Sequence, residues 1–179
     1  EVKYRNVLDE KAQKYIFFAT DGAKRMRQII LDLLEYSRVG SYNEKVEEVA
    51  VDQVLKNIII LNRRIIKEKN ANVFWDEMPV IQIEKTPLQQ IFQNLIGNAI
   101  KYKSNKPPVV EIGCKEEQDR FVFFVKDNGI GIAEEYQSKI FEIFQRLHRK
   151  DEYSGTGIGL AICKKIVDKY EGTIIVNSE

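Results

Sequence analysis

Asn94, Asn98 and Lys101 fall at i, i+4 and i+7 of one stretch, so on a helix they share a face. Two amides and one ammonium on one face suit phosphates and a hydrated Mg²⁺, which takes oxygen ligands and keeps several waters. The same residue types also make an ordinary solvated helix face. Asp127-Asn128-Gly129-Ile130-Gly131-Ile132 follows directly on a strand-like run. Its carboxylate can accept the exocyclic amine of a purine, and its glycines let the backbone approach a flat ligand closely. Read alone, it is also a plain Asp-Asn-Gly turn. Gly155-Thr156-Gly157-Ile158-Gly159-Leu160 opens a helical stretch. Glycines there leave backbone N–H groups open to an anion, and the helix dipole favours it. Flexible loop glycines are the plain alternative. Leu160 stands where a dinucleotide fingerprint needs its third glycine, and no strand precedes the segment, so that fingerprint is excluded. Neither Gly-Lys-Ser/Thr nor the His-Arg-Asp and Asp-Phe-Gly signatures of protein kinases occur.

The elements that must hold these segments are legible from periodicity. From Glu10 to Arg38 there is no proline, and Ile16, Ala19, Ala23, Met26, Ile30, Leu33 and Ser37 step alternately by three and four. This is the repeat of a coiled coil or helical bundle. Gly40-Ser41-Tyr42-Asn43 reads as a linker. Beyond it, 46–51 reads as a short strand, and Asp52 as the cap of a helix through Lys69 with apolar positions at Val54, Leu55, Ile58, Ile59, Leu61, Ile65 and Ile66. Asn72–Trp75 and Val80–Ile83 read as short strands on either side of a turn containing Pro79. Thr86-Pro87 predicts a helix start running to about Tyr102. Val109–Lys115 and Arg120–Lys126 alternate as a hairpin. Helical stretches are expected over 134–144 and 157–170, with a final strand beginning over 173–176.

Composition bounds the alternatives. The 179 residues allow one domain with a helical appendage. Lys+Arg number 28 and Asp+Glu 27, a balance that argues against a nucleic-acid-binding protein. No window reaches the roughly 18 consecutive apolar residues that span a bilayer, so no membrane contact is expected in this region. Cys114 and Cys163 make no disulfide framework and read as buried small hydrophobes in a reducing cytoplasm. His148 is the one histidine, which excludes any site needing two. The chain begins Glu1-Val2-Lys3 and is expected to be a piece of a longer protein. The order of elements predicts an α+β sandwich behind an all-helical appendage.

Taken together, the Asn94–Tyr102 helix, the Asp127–Ile132 loop, Ile140-Phe141-Glu142-Ile143-Phe144 and the Gly155–Leu160 segment resemble the ATP-binding catalytic domain of sensor histidine kinases. These belong to the superfamily of gyrase, Hsp90, histidine kinase and MutL ATPases. Ile143-Phe144-Gln145-Arg146-Leu147-His148 resembles the phytochrome-associated and PAS-containing kinases in particular. The resemblance covers about 46–179 and implies a mixed sheet with three helices on one face. It implies a magnesium-ligating Asn98, with Asn94 beside the phosphates and Lys101 contacting them. It implies that Tyr102 packs near adenine, that Asp127 reads the base, and that Gly129 and Gly131 line it. Phe141 and Phe144 precede a mobile lid, Arg146 reaches a phosphate from it, and Gly155, Thr156, Gly157, Gly159 and Leu160 close it.

Residues 10–38 resemble the second helix of the family's dimerisation and phosphoacceptor domain, which implies division into 1–42 and 43–179. His148 lies in the implied lid and is not the acceptor, which belongs to a first helix outside the chain. The implied partners are a second copy through the bundle helices, an upstream sensor domain and a response-regulator receiver domain. Two other readings remain open. One is an ATP-hydrolysing relative, which would carry a glutamate near Asn94 to activate water. The other is a degenerate scaffold that only dimerises. Ile143 departs from the proline often found between the two phenylalanines, and Glu171-Gly172 from a common glycine pair.

Overall fold

The computed structural model describes residues 8–40, 45–118, 120–147, 153 and 155–178. Helix α1 (Glu10–Arg38) forms over the span its repeat predicts, and Asp9 caps it by accepting from Ala12 N at 2.7 Å. None of its residues is buried, and Met26 and Ile30 are 63% and 58% exposed. The apolar repeat therefore presents an open stripe along most of the helix. The predicted linker positions 41–43 lie outside the described residues.

Strand β1 (Glu47–Ala50) leads directly into α2 (Val51–Lys69). Asp52 does not cap it as predicted. The helix starts one residue earlier, and the Asp52 carboxylate accepts from Trp75 Nε1 at 2.9 Å and pairs with Lys56 at 2.6 Å. Val54, Leu55 and Ile58 are buried and Ile66 packs on the same core, whereas Leu61 and Ile65 are exposed on the outer side of the helix. β2 (Asn72–Trp75) and β3 (Val80–Ile83) flank a turn but do not pair with each other. β2 pairs in parallel with β4 (Val109–Glu117), and β3 pairs antiparallel with β1. β4 continues into a hairpin with β5 (Arg120–Asp127), with Val110 opposite Asp127. The strands thus form a β1-β3 pair and a mixed β2-β4-β5 sheet.

Helix α3 (Lys85–Lys101) also begins before its predicted start. Glu84 occupies the cap position without a side-chain capping bond. Its buried carboxylate is taken instead by Lys169 and Tyr170 at the end of α5 (Gly159–Lys169), 85 residues away. The core lies between α2, α3 and the strands. Phe92, Ile96 and Ile100 of α3 meet Leu55 and Ile58 of α2 and Val110 and Ile112 of β4. α5 buries Ile162 and Ile166 with Ile158 against Ile91 of α3 and against Tyr36 and Val39 of α1. This second cluster fixes the end of α1 onto the sandwich.

Three further expectations are corrected. The stretch 134–144 is a single helical turn, α4 (Glu134–Gln137), then a 3-10 turn over Lys139–Phe141, with Phe144 at φ 67°. Phe144 in the left-handed region breaks any helix there. Residues 173–178 form no strand. Ser178 instead takes Ile132 N at 2.8 Å and Gln137 Nε2 at 3.3 Å, tying the segment to the loop after β5. Cys114 is only half-buried, toward the outer end of the strand face that Val110 and Ile112 bury.

Candidate functional site

The last turn of α3 is where the separated segments meet. Tyr102 follows the helix with its N–H bonded to Asn98 O at 2.9 Å. Its own carbonyl accepts from Ile130 N at 3.1 Å, and Lys103 bridges to Gly129. A side chain at position 129 would not fit: a Cβ there would lie 2.4 Å from Tyr102 O and 2.6 Å from Asp127 Oδ1. The glycine is required for this approach. Asp127 Oδ1 accepts from Gly129 N at 2.8 Å, which holds the exposed carboxylate at the mouth of the loop. Asn128 braces the loop from behind, accepting from Val109 N at 2.8 Å and donating to Pro107 O at 3.0 Å. Gly131 sits at φ 73°, a conformation that favours glycine.

The glycine segment approaches the same turn from the other side. Lys101 Nζ donates to Tyr102 Oη at 2.7 Å and would lie 2.6 Å from a Cβ at Gly155. Phe144 N donates to Gly157 O at 3.0 Å, so the two ends of the interval between them are pinned together. Gly157 is at φ 76°, and a Cβ there would lie 2.7 Å from Gln145 O. α5 then starts at Gly159 with Ile158 at the cap and no side-chain capping bond. Its first N–H groups are thereby left for another acceptor. Leu160 is half-buried on the first turn.

Asn94 and Asn98 lie two turns and one turn before Tyr102, both half-buried. Asn94 faces α5. Its Oδ1 would lie 3.0 Å from a Cβ at Gly159, and the nearby Cys163 thiol donates to Ile91 O at 3.9 Å. Burial pushes that thiol up to about 12, against the smaller opposing effect of Asn94. Cys163 is therefore a neutral thiol in the fold. Arg146 Nη2 donates to Tyr153 O at 2.7 Å, and Phe144 is 53% exposed. Among the described residues no group of three or more His, Cys, Asp or Glu is placed to hold a metal. Any cation here depends on amide oxygens and on its ligand. The half-buried Asn98 amide fits Mg²⁺ in that sense, since Mg²⁺ is commonly held by few protein ligands plus phosphate oxygens.

Sequence reasoning did not find Tyr153. Its ring lies 5.0 Å from that of Tyr102, and its hydroxyl donates to Lys103 O at 3.3 Å. The interval it belongs to carries no period, so no spacing singled it out. His148 lies outside the described residues. No helix among those described is long and apolar enough to cross a membrane.

Residues 83–179 match the family described as histidine kinase-, DNA gyrase B-, and HSP90-like ATPase. Cyanobacterial phytochrome A of Nostoc sp. is 42% identical over 179 residues, which is 100% of this chain and 23% of the relative. The chain thus spans under a quarter of that relative's length. The crystal structure of full-length ShkA in complex with AMPPNP superposes with a TM-score of 0.71 at 22% identity, over 96% of this chain and 38% of that one. Histidine kinase ThkA in complex with response regulator protein TrrA gives 0.68 at 24% identity, over 96% and 49%. At these identities the structural likeness shows the fold.

Proposed function

Because the chain belongs to the histidine kinase-, DNA gyrase B- and HSP90-like ATPases, we propose that it is the catalytic region of a sensor histidine kinase. In this reading 1–42 is part of the dimerisation helix with its linker, and 43–179 is the ATP-binding domain. The observation that carries it is the convergence on one helical turn. Lys101, the Asp127–Gly131 loop and the Gly155–Gly159 segment meet at the end of α3 from positions far apart in sequence.

Each residue has a task in that arrangement. Asp127 accepts the exocyclic amine of adenine, and Gly129 and Gly131 leave room for the ring. Tyr102 packs beside the base. Lys101 leaves the Tyr102 hydroxyl for the phosphates, where Thr156, the N–H groups of Gly157, Gly159 and Leu160 and the Arg146 guanidinium add further donors. Asn98 and the phosphates would hold Mg²⁺, which neutralises charge on the β- and γ-oxygens. Phe144 hinges the lid.

An imidazole nitrogen of a histidine on the preceding bundle helix attacks the γ-phosphorus. The bond to the β,γ-bridging oxygen breaks, and ADP leaves. Positioning and charge neutralisation do most of the work in such a transfer. Asn94 favours transfer over hydrolysis, since a neutral amide is not a base that can take a proton from water.

The phosphoryl group then passes to an aspartate of a response regulator, the kind of partner seen with ThkA. The open apolar stripe on α1 supports a second copy as partner through the bundle. A fluorescent ATP analogue titrated with Mg²⁺ tests the site. Binding lost in Asp127→Ala is expected; no binding in either protein would leave a scaffold. In the full-length kinase, [γ-³²P]ATP should give an acid-labile, alkali-stable label. Acid-stable label, or phosphate release with none, would refute histidine transfer.

A further inference from the structure

The glycine segment is gripped from a third side, by α1. Thr156 Oγ1 donates to Asp32 Oδ2, across 124 residues of sequence. Nothing in the ATP-site motifs involves Asp32, and the geometry around it is built. Its other oxygen, Oδ1, accepts from Gln28 Nε2 at 2.7 Å one turn earlier, which fixes the carboxylate's orientation. One turn later on the same face, the Tyr36 carbonyl accepts from Lys165 Nζ at 2.8 Å, and that ammonium lies 4.4 Å from the Tyr36 ring centroid. Tyr36 and Val39 pack on Ile158, Ile162 and Ile166. Two successive turns of α1 therefore seat on α5, and their register delivers Asp32 to the residue three before Gly159.

We propose that Asp32 is a positioning residue for the lid, holding Thr156 away from the phosphates and so coupling the set of α1 to nucleotide affinity. This rests on the ATP-site reading above. A hydroxyl has one proton to donate, so Thr156 bonds either the Asp32 carboxylate or a phosphate oxygen. The carboxylate is also a like charge beside the place the phosphates take. A small rotation or shift of α1 that withdraws Asp32 frees the hydroxyl and lowers the repulsion. The lid then responds to the bundle helix without any change in the ligand-contacting residues themselves.

The experiment uses the full chain and separates the two readings. Hydrogen exchange of the amides of 155–160 is measured without nucleotide, so its outcome does not depend on ATP binding. Asp32→Ala and Thr156→Val should each speed exchange, and Asp32→Ala should add nothing in the Thr156→Val background. Asp32→Asn, which keeps an oxygen acceptor but drops the charge, should leave exchange near wild type. Affinity for the ATP analogue should rise roughly threefold to tenfold in Asp32→Ala and part of that in Asp32→Asn, the scale of one exposed charge plus one hydrogen bond. A merely structural Asp32 would leave affinity unchanged or lower it. Unchanged exchange in Asp32→Ala, additive effects of the two substitutions, or unchanged or weaker binding in Asp32→Ala overturns the proposal. Loss of the Asp127→Ala contrast would instead overturn the ATP site while leaving the exchange result standing.

Discussion

Replacing Gly129 with alanine places a methyl group 2.4 Å from the Tyr102 carbonyl oxygen and 2.6 Å from Asp127 Oδ1. A carbon and an oxygen rest at about 3.3 Å or more, so the loop must withdraw by roughly 1 Å. The first casualty is the Ile130 N to Tyr102 O bond at 3.1 Å, together with the Lys103–Gly129 bridge. One backbone hydrogen bond contributes about 1 kcal/mol. Overpacking at a tight contact adds about 1–3 kcal/mol. The penalty is concentrated where the Asp127 carboxylate is aimed, since its Oδ1 is fixed by Gly129 N at 2.8 Å. If about 1.4–2.8 kcal/mol of it appears in binding, affinity for an ATP analogue falls about 10- to 100-fold. Calorimetric titration of the analogue with Mg²⁺ measures this, beside urea unfolding to show that the fold persists. Gly22→Ala is the control, because nothing lies within 4 Å of its added Cβ. Binding by Gly129→Ala within twofold of wild type would refute the argument that this glycine sets the base-reading loop.

Phe92, 2% exposed between α3, α2 and the sheet, should cost about 3–5 kcal/mol of stability when changed to alanine, read from the urea midpoint. Lys169→Met removes the ammonium that pairs with the 5%-exposed Glu84 carboxylate and leaves the Tyr170 hydroxyl in place. It should destabilise by about 2–4 kcal/mol, partly recovered in the double variant Glu84→Gln/Lys169→Met; no recovery would mean the loss is one of packing. The Cys163 thiol, raised by burial from 9.0 to about 12, favours the protonated form in the folded state. Its stabilising effect is therefore complete below pH 9 and is lost as pH rises toward 12. Cys163→Ala should show a shallower alkaline decline in urea stability than wild type; parallel curves would count against the assignment.

The proline-free stretch Glu10–Arg38 and the three-four repeat inside it determined α1, because that repeat runs unbroken from Ile16 to Ser37. Composition removed multi-histidine metal chemistry and, within this chain, a membrane span. The four motifs in order carried the family resemblance, which the match over residues 83–179 bears out. Element starts were less legible. Asp52 and Thr86 both looked like caps, but Asp52 is taken by Trp75, and the cap position before α3 is held by Glu84, whose carboxylate is used by Lys169 and Tyr170. Local spacing cannot see partners that far along the chain. β2 and β3 were read around one turn, yet their ladders belong to different sheets, since each pairs with a strand outside that turn. The candidate residues were named from sequence; their meeting place was not. That Asn94 faces the start of α5 and that Asp32 takes Thr156 follow from α5 docking between α3 and α1, while the Gly129 approach to the Tyr102 carbonyl and the Tyr153 ring on Tyr102 follow from distant loops reaching the end of α3. Contacts of this kind are set by packing between distant segments, and only the folded chain brings those surfaces together.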